Sequence, residues 1–367
     1  MGAVPTFLER LQFYQAQHEG RIAALFFAGG FIFDTAAVGR VDSWHLIAQQ
    51  TAYLAIVTAV LTQMFFVPEA PTLEGLSPIL RFYYRQRLPI LSFFLGTLLN
   101  VYTLFFFKSS SLLVSFSFML VMVALLLLNE FGPLRRTGLA FKFALLSLCA
   151  LSFCATVVPI VFGRVGTAVF LASMAVGCLP VLALAAWIRR RAPERVAAVR
   201  GQLLVPFGSM LILFLGAYLL RVIPPVPLSI PFIGVYHSVE RTQDGYRLSH
   251  ERPAWIFWRN GDQHFRAQPG DRIYVFFRVF SPASFADEVR MRWFHREAHG
   301  WAAQDTIPIR IVGGRAEGFR GYGFKSNYQP GAWKVQVETT DEREIGRVYF
   351  DVEPVSASPR RFAVDVD

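Results

Sequence analysis

The sequence predicts a membrane all-α bundle of about seven transmembrane helices followed by a C-terminal, all-β antiparallel sandwich. Three observations carry this. From Met1 to Ile233 the chain is a series of apolar blocks 17–24 residues long, and from Gly234 onward no apolar block reaches ten. A bilayer core about 30 Å thick needs helices of about 20 residues. Beyond Gly234 the apolar residues alternate instead, the period of strands with one buried face.

Seven spans are expected, at Ile22–Val38, Leu46–Val67, Leu88–Phe107, Leu112–Leu128, Leu139–Phe162, Val165–Ile188 and Leu203–Leu220. Residues 1–21 precede them, with Phe7, Leu8, Leu11 and Tyr14 at the spacing of an amphipathic helix lying on the cytoplasmic face. Lys108 and three serines split the third and fourth spans, and Gly163-Arg164 splits the fifth and sixth, so both pairs read as tight hairpins. Small residues (Gly166, Ala168, Ala172, Ser173, Ala175, Gly177) let helix backbones approach closely and mark the sixth span as central to the bundle. Pro159 and Pro180 are expected to bend the fifth and sixth.

Charge sets the orientation. The first 233 residues carry 17 Lys and Arg against 8 Asp and Glu, and the last 134 carry 19 against 18. The basic excess therefore belongs to the membrane half, where it sets topology. A nucleic-acid partner, which needs a basic soluble face, is excluded on that split. Twelve Lys and Arg fall on the side of the N-terminus and of the second, fourth and sixth connections, against four (Arg40, Lys108, Arg164, Arg221) on the other. The N-terminus is thus cytoplasmic. Seven crossings carry the C-terminal domain outside, which for a bacterial inner membrane is the periplasm.

The bundle occupies residues 22–222. Residues 223–233 hold four prolines (Pro224, Pro225, Pro227, Pro231) and read as a semi-rigid linker. The sandwich is expected over 234–354, with 355–367 as a tail. Val289, Met291 and Trp293 alternate with arginines. Ile307, Ile309 and Ile311 form a second row, Trp333, Val335 and Val337 a third, and Val348, Phe350 and Val352 a fourth. Further strands are expected near 234–241, 255–258, 272–280 and 319–326. Seven to nine short strands in about 120 residues fit an immunoglobulin-like sandwich. Cys149, Cys154 and Cys178 all lie in apolar blocks, so the sandwich has no disulfide.

The soluble segment resembles a bacterial family known as domain of unknown function 2914. The residues that carry this are Gly313-Gly314-Arg315, Gly318-Phe319-Arg320-Gly321-Tyr322, Lys325, Gly331-Ala332-Trp333-Lys334-Val335-Gln336-Val337 and Ile345 to Val352. The likeness is best over 235–353. The membrane part, with Gly29-Gly30-Phe31 and Phe33-Asp34, is similar to longer members. The resemblance implies a fold and no activity.

Candidate sites are few. Asp34 is the intramembrane acid, for which Arg164 is the favoured partner ahead of Arg40 and Arg221; Asn100 lies midway in the third span. Arg315, Arg320, Tyr322 and Lys325 form a basic, aromatic stretch suited to an anionic envelope ligand. Trp255 and Trp258 are expected to leave an aromatic facing outward, towards the membrane or a partner. His295-Arg296-Glu297-Ala298-His299 reads as a hairpin turn with exposed histidines and not as a metal motif. Asp287-Glu288 and Glu342 to Glu344 read as turn residues. There is no phosphate loop, dinucleotide fingerprint, nucleophile elbow or Cys/His cluster, so no catalytic residue, metal or cofactor is assigned. The leading expectation is a non-enzymatic envelope anchor, held in the lipid bilayer, presenting a sandwich that binds another envelope protein or an anionic ligand. A small-solute or lipid transporter is the alternative, and a membrane enzyme the third.

Overall fold

The computed structural model describes residues 42–68, 75–109, 120, 121, 124, 138–243, 245–256, 258–313, 318–356 and 359–367. The N-terminal segment, the first span with Asp34, Arg40, most of the fourth span, Phe257 and Arg315 lie outside them.

Among the described residues, five helices are long and apolar enough to cross a membrane. They are α1 (Trp44–Phe66), α2 (Pro78–Ser109), α3 (Leu139–Phe162), α4 (Thr167–Arg191) and α5 (Pro193–Leu219). α2 is 32 residues long, so the third span is the apolar part of a longer helix. α5 opens with a 3₁₀ turn and passes through a π-helical stretch, Arg200–Leu204, before its α-helical body, Val205–Leu219. The wide turn lies just before Pro206, whose ring crowds the carbonyl four residues back.

The chain divides into two compact units. The first holds α1, α2 up to Leu104, Leu139–Ala150 and Ala183–Met210. Here the end of α1 is closed by arginines from two other segments. Arg87 of α2 donates to the carbonyls of Val67 and Pro68 at 2.9 and 2.7 Å, and Arg195 of α5 to Phe65 at 2.7 Å. The last carbonyls of a helix have no partner within it, and its dipole favours a cation there. The second and sixth connections, counted on one side by charge, thus each bring an arginine to the same helix end.

The second unit holds Phe105–Ser109, Leu151–Leu182 and Leu211–Asp367. Gly177 of α4 lies against α3 so closely that a Cβ there would meet Leu151 Cδ2 at 3.0 Å, the close approach expected of the small-residue span. The β region forms three sheets. β1 (Ser229–Tyr236), β5 (Ile273–Phe280) and β8 (Phe319–Lys325) make one, in the order β1-β5-β8. β4 (His264–Ala267), β10 (Glu344–Pro354), β9 (Gly331–Thr339), β6 (Ala286–Glu297) and β7 (Gly300–Val312) make the second, in that order. β11 (Ala363–Val366), β3 (Tyr246–His250) and β2 (Ser238–Arg241) make the third. Trp293, Trp333, Phe265, Phe277, Val335 and Phe350 belong to one buried cluster drawn from the first two sheets.

Four expectations are corrected. The β region is mixed, because β4 runs parallel to β10; this places Phe265 and Ala267 in the core cluster beside Val352. The linker 223–233 is half strand. β1 begins at Ser229, and Pro231 is tolerated because β1 is an edge strand with an irregular register between Ser229 and Phe232. The tail 355–367 supplies β11, paired with β3, a strand of four residues that is too short for alternation to announce. The strand expected near 255–258 is not found among the described residues there: Trp255 and Trp258 lie in turns, and Ile256 N–H is bonded to the Pro253 carbonyl at 3.0 Å.

Candidate functional site

Alternation along β6, β9 and β10 buries one row of side chains and turns the other outward. Register then decides which outward side chains meet. Tyr349 pairs with Lys334, Lys334 with Phe294, and Arg296 with Trp301. The outward face is therefore aromatic and cationic. Lys334 Nζ lies 4.1 Å from the Phe294 ring centre and 5.5 Å from that of Trp301. Arg296 lies 5.9 Å from the Trp301 ring, and the rings of Trp301 and Tyr349 are 5.7 Å apart.

At one end of this face the loop after β3 brings in Trp258, Arg259, Asn260 and Gln263, and a groove of about 570 Å³ opens. Trp258, Trp301 and Tyr349 are its aromatic walls; Arg259, Arg296 and Arg347 its cations; Asp351 its carboxylate. Trp258 is 61% exposed and Tyr349 41%, and Trp301 is half-buried. Arg347 is held in place by the Glu344 carboxylate and by the Tyr349 hydroxyl at 2.8 Å. Arg259 reaches Gln263 Oε1 at 3.2 Å.

The residues singled out from sequence fall differently. Trp255 and Trp258 are exposed, with ring centres 5.9 Å apart, and Trp258 lines the groove. Tyr322 is exposed on β8, in another sheet. Arg320 and Lys325 are spent on structure. Arg320 stands opposite Arg278 in register, and the like charges are compensated by Asp367, 3.3 Å from Arg278 and 3.4 Å from Arg320. Lys325 is buried and paired with Asp305, with Asn327 Oδ1 at 3.1 Å. His295 is a strand residue of β6, with Nε2 3.0 Å from the Pro330 carbonyl, and is buried because its ring packs on Trp333. It is therefore not an exposed turn histidine. Among the described residues no group of His, Cys, Asp and Glu has the geometry of a metal site. Arg164 is exposed and Asn100 is half-buried in α2.

A clamp that no local pattern in the chain announces joins helix ends to the β region. Ser284 donates to the Ile160 carbonyl near the end of α3, and the Gly163 carbonyl accepts from Ala286 N–H at 3.0 Å. A Cβ on Gly163, at φ +66°, would strike the Ser284 carbonyl. At the start of α4, Asp287 accepts from Val165 N–H at 3.0 Å and Asp341 from the Thr167 hydroxyl at 3.3 Å. Carboxylates suit a helix N-terminus. Asp287 is thus a strand residue with a task and not a turn residue. At the far end of α5, Arg343 lies 3.3 Å over the Tyr218 ring and donates to the Tyr218 carbonyl at 2.9 Å, and Arg221 pairs with Glu342 at 3.1 Å.

A second buried polar cluster lies beside β2, β3 and β11. His237 stacks on Phe265, and Arg360 Nη1 lies 3.2 Å from its Nδ1. Because a guanidinium only donates, Nδ1 is the acceptor and the ring proton sits on Nε2. Nε2 is 3.6 Å from Asp262 and 3.7 Å from Glu251, too far for a hydrogen bond. Burial, then the Arg360 charge, pushes His237 down to about 4. Burial pushes Asp262 up to about 6.

Membrane-length helices and a mixed β region clamped to three of their ends define the class: a membrane protein with a C-terminal β region. Residues 286–352 match the family described as "Protein of unknown function (DUF2914)", which bears out the resemblance carried by Gly331 to Val337 and Ile345 to Val352. No curated protein matches the chain. Among solved structures, an immunoglobulin-like protein from Pseudomonas aeruginosa is 11% identical, over 35% of this chain and 98% of that one, with a TM-score of 0.22. A β-glucosidase from Listeria innocua in complex with glucose is 10% identical, over 26% of this chain and 15% of that one, at 0.20. An alkylpurine DNA glycosylase from Pseudomonas fluorescens bound to DNA is 13% identical, over 86% and 99%, at 0.23. At such TM-scores these likenesses carry no argument.

Proposed function

We propose that this chain is a non-enzymatic anchor of the bacterial inner membrane that holds a ligand-binding or partner-binding β-sandwich outside the cytoplasm. In this reading seven helices span the bilayer, the N-terminus is cytoplasmic and the sandwich is periplasmic. One observation carries it above all: the β region is fastened to the ends of α3, α4 and α5 by Ser284, Asp287, Asp341 and Arg343. A domain fixed at this many points is oriented by the bundle, and the open groove is the natural place for what it binds. Support for the sidedness comes from the arginines that gather at one end of α1.

The test is a chimaera in which residues 224–367 follow an unrelated membrane anchor of the same orientation. Under the anchor reading it restores whatever defect deletion of the full chain causes. If only the native bundle restores it, the bundle is the working part and the transporter alternative takes over.

A further inference from the structure

We propose that the groove beside Trp258, Trp301 and Tyr349 binds an acidic glycan. This rests on the reading of the β region as a binding module and names its ligand class. The volume, about 570 Å³, lies within the range of about 300–1,000 Å³ typical of small-ligand sites. Three features select a sugar. Trp258 and Tyr349 stand exposed at the walls together with the half-buried Trp301, and the flat C–H face of a pyranose packs on such a ring while its hydroxyls stay hydrated. A lipid chain would instead need an enclosed, wholly apolar cavity.

Asn260, Gln263, His264 and Asp351 line the groove with both donors and acceptors, as ring hydroxyls require. Charge then selects among sugars. Arg259, Arg296 and Arg347 face a single groove carboxylate, Asp351, and the Glu344 carboxylate already engages Arg347. Arg259 and Arg296 are left to read the ligand's carboxylates, and a guanidinium fork matches a carboxylate with two parallel hydrogen bonds. Arg296 is steadied against the Trp301 ring, so stacking and charge reading act at one point.

The experiment uses the full chain in detergent micelles, titrated with tetragalacturonate, neutral maltotetraose and tetraglutamate, with binding read by calorimetry. Tetragalacturonate should bind at least about tenfold tighter than either control, the worth of about one charge-assisted hydrogen bond or ring contact. Arg296→Gln and Trp301→Ala should each weaken it by about tenfold or more, while Tyr322→Ala, on another sheet, leaves it unchanged. Should Trp301→Ala fail to fold, Arg296→Gln with Tyr349→Leu decides. Equal binding of tetraglutamate would mean charge alone and overturn the proposal. So would equal binding of maltotetraose, no binding of tetragalacturonate, or indifference to Arg296→Gln. If tetragalacturonate does not bind yet the chimaera above restores function, the ligand class is wrong and the anchor reading stands.

Discussion

Asp341 and Tyr218 meet across the clamp: the Tyr218 hydroxyl donates to Asp341 Oδ2 at 3.0 Å, and Arg343, stacked on the same tyrosine ring, reaches that oxygen at 3.2 Å. Burial alone would raise the Asp341 carboxyl. Hydrogen bonds from Thr339 and Tyr218 and the Arg343 charge outweigh it and hold the group below its usual range. A depressed carboxyl stabilises above its unfolded value of about 3.9, and that contribution is lost only as pH falls through the lower folded value. The clamp should therefore hold through mild acid.

Asp341→Ala leaves the buried Arg343 guanidinium and the Tyr218 hydroxyl without this acceptor. The expected cost is about 2–3 kcal/mol, reduced from that of a fully buried pair because Asp341 is partly exposed. Arg343→Met alone should cost about as much, and the double variant less than the sum of the two. Thermal melting in detergent, with limited proteolysis at 222–228, measures this; strictly additive losses would refute a coupled clamp.

His237 and Asp262 make opposite claims on acid stability. His237, lowered to about 4, takes its proton more readily when unfolded, so its contribution falls as pH drops from 7 towards 4. Asp262, raised to about 6, binds its proton more readily when folded, so its contribution grows over the same window. Between pH 7 and pH 5 the histidine costs about 2 kcal/mol and the aspartate returns about 1 kcal/mol. The wild-type chain should lose little over this range. Asp262→Asn, which leaves only the histidine to titrate, should melt distinctly lower at pH 5 than at pH 7. A pH-independent melting point in that variant would show that His237 is not held neutral by its surroundings.

Physical range explains what was legible. α3 was readable to the residue, Leu139–Phe162, because hydropathy and length are local properties. β6, β9 and β10 announce themselves by alternation, which puts Arg347 and Tyr349, set between Val348, Phe350 and Val352, on the face away from the core. That they form a groove with Trp258 and Trp301 was not readable, since it depends on strand order and register across the five-stranded sheet. Arg320 and Lys325 looked free because their partners, Asp367 and Asp305, are distant in sequence. The clamp was hidden for the same reason: Asp287 and Asp341 resemble any exposed acid until α4 is set beside them.

Sidedness is tested with reporters. An enzyme active only outside the cytoplasm should work when fused after Asp367 and fail when inserted between Arg191 and Arg195. The opposite result would reverse the orientation, and the same reading at both positions would break the count of seven crossings.

The boundary of the β region supplies the last prediction. Leu228 is fully buried in the core cluster and Ile230 packs against it, so both belong to the β region although they lie among the linker prolines. A fragment beginning at Pro225 keeps them and the whole of β1. One beginning at Phe232 loses both, together with the first three residues of the strand. Deleting one buried leucine side chain typically costs about 2–5 kcal/mol, a large part of a domain's net stability of about 5–15 kcal/mol. The longer fragment should be a soluble, β-rich monomer that melts cooperatively, and the shorter one should melt far lower or aggregate. Leu228→Ala in the longer fragment isolates the side chain from the backbone it sits on. If that variant and the shorter fragment both melt with the longer one, Leu228 is not part of the fold's core and the β region begins after the prolines.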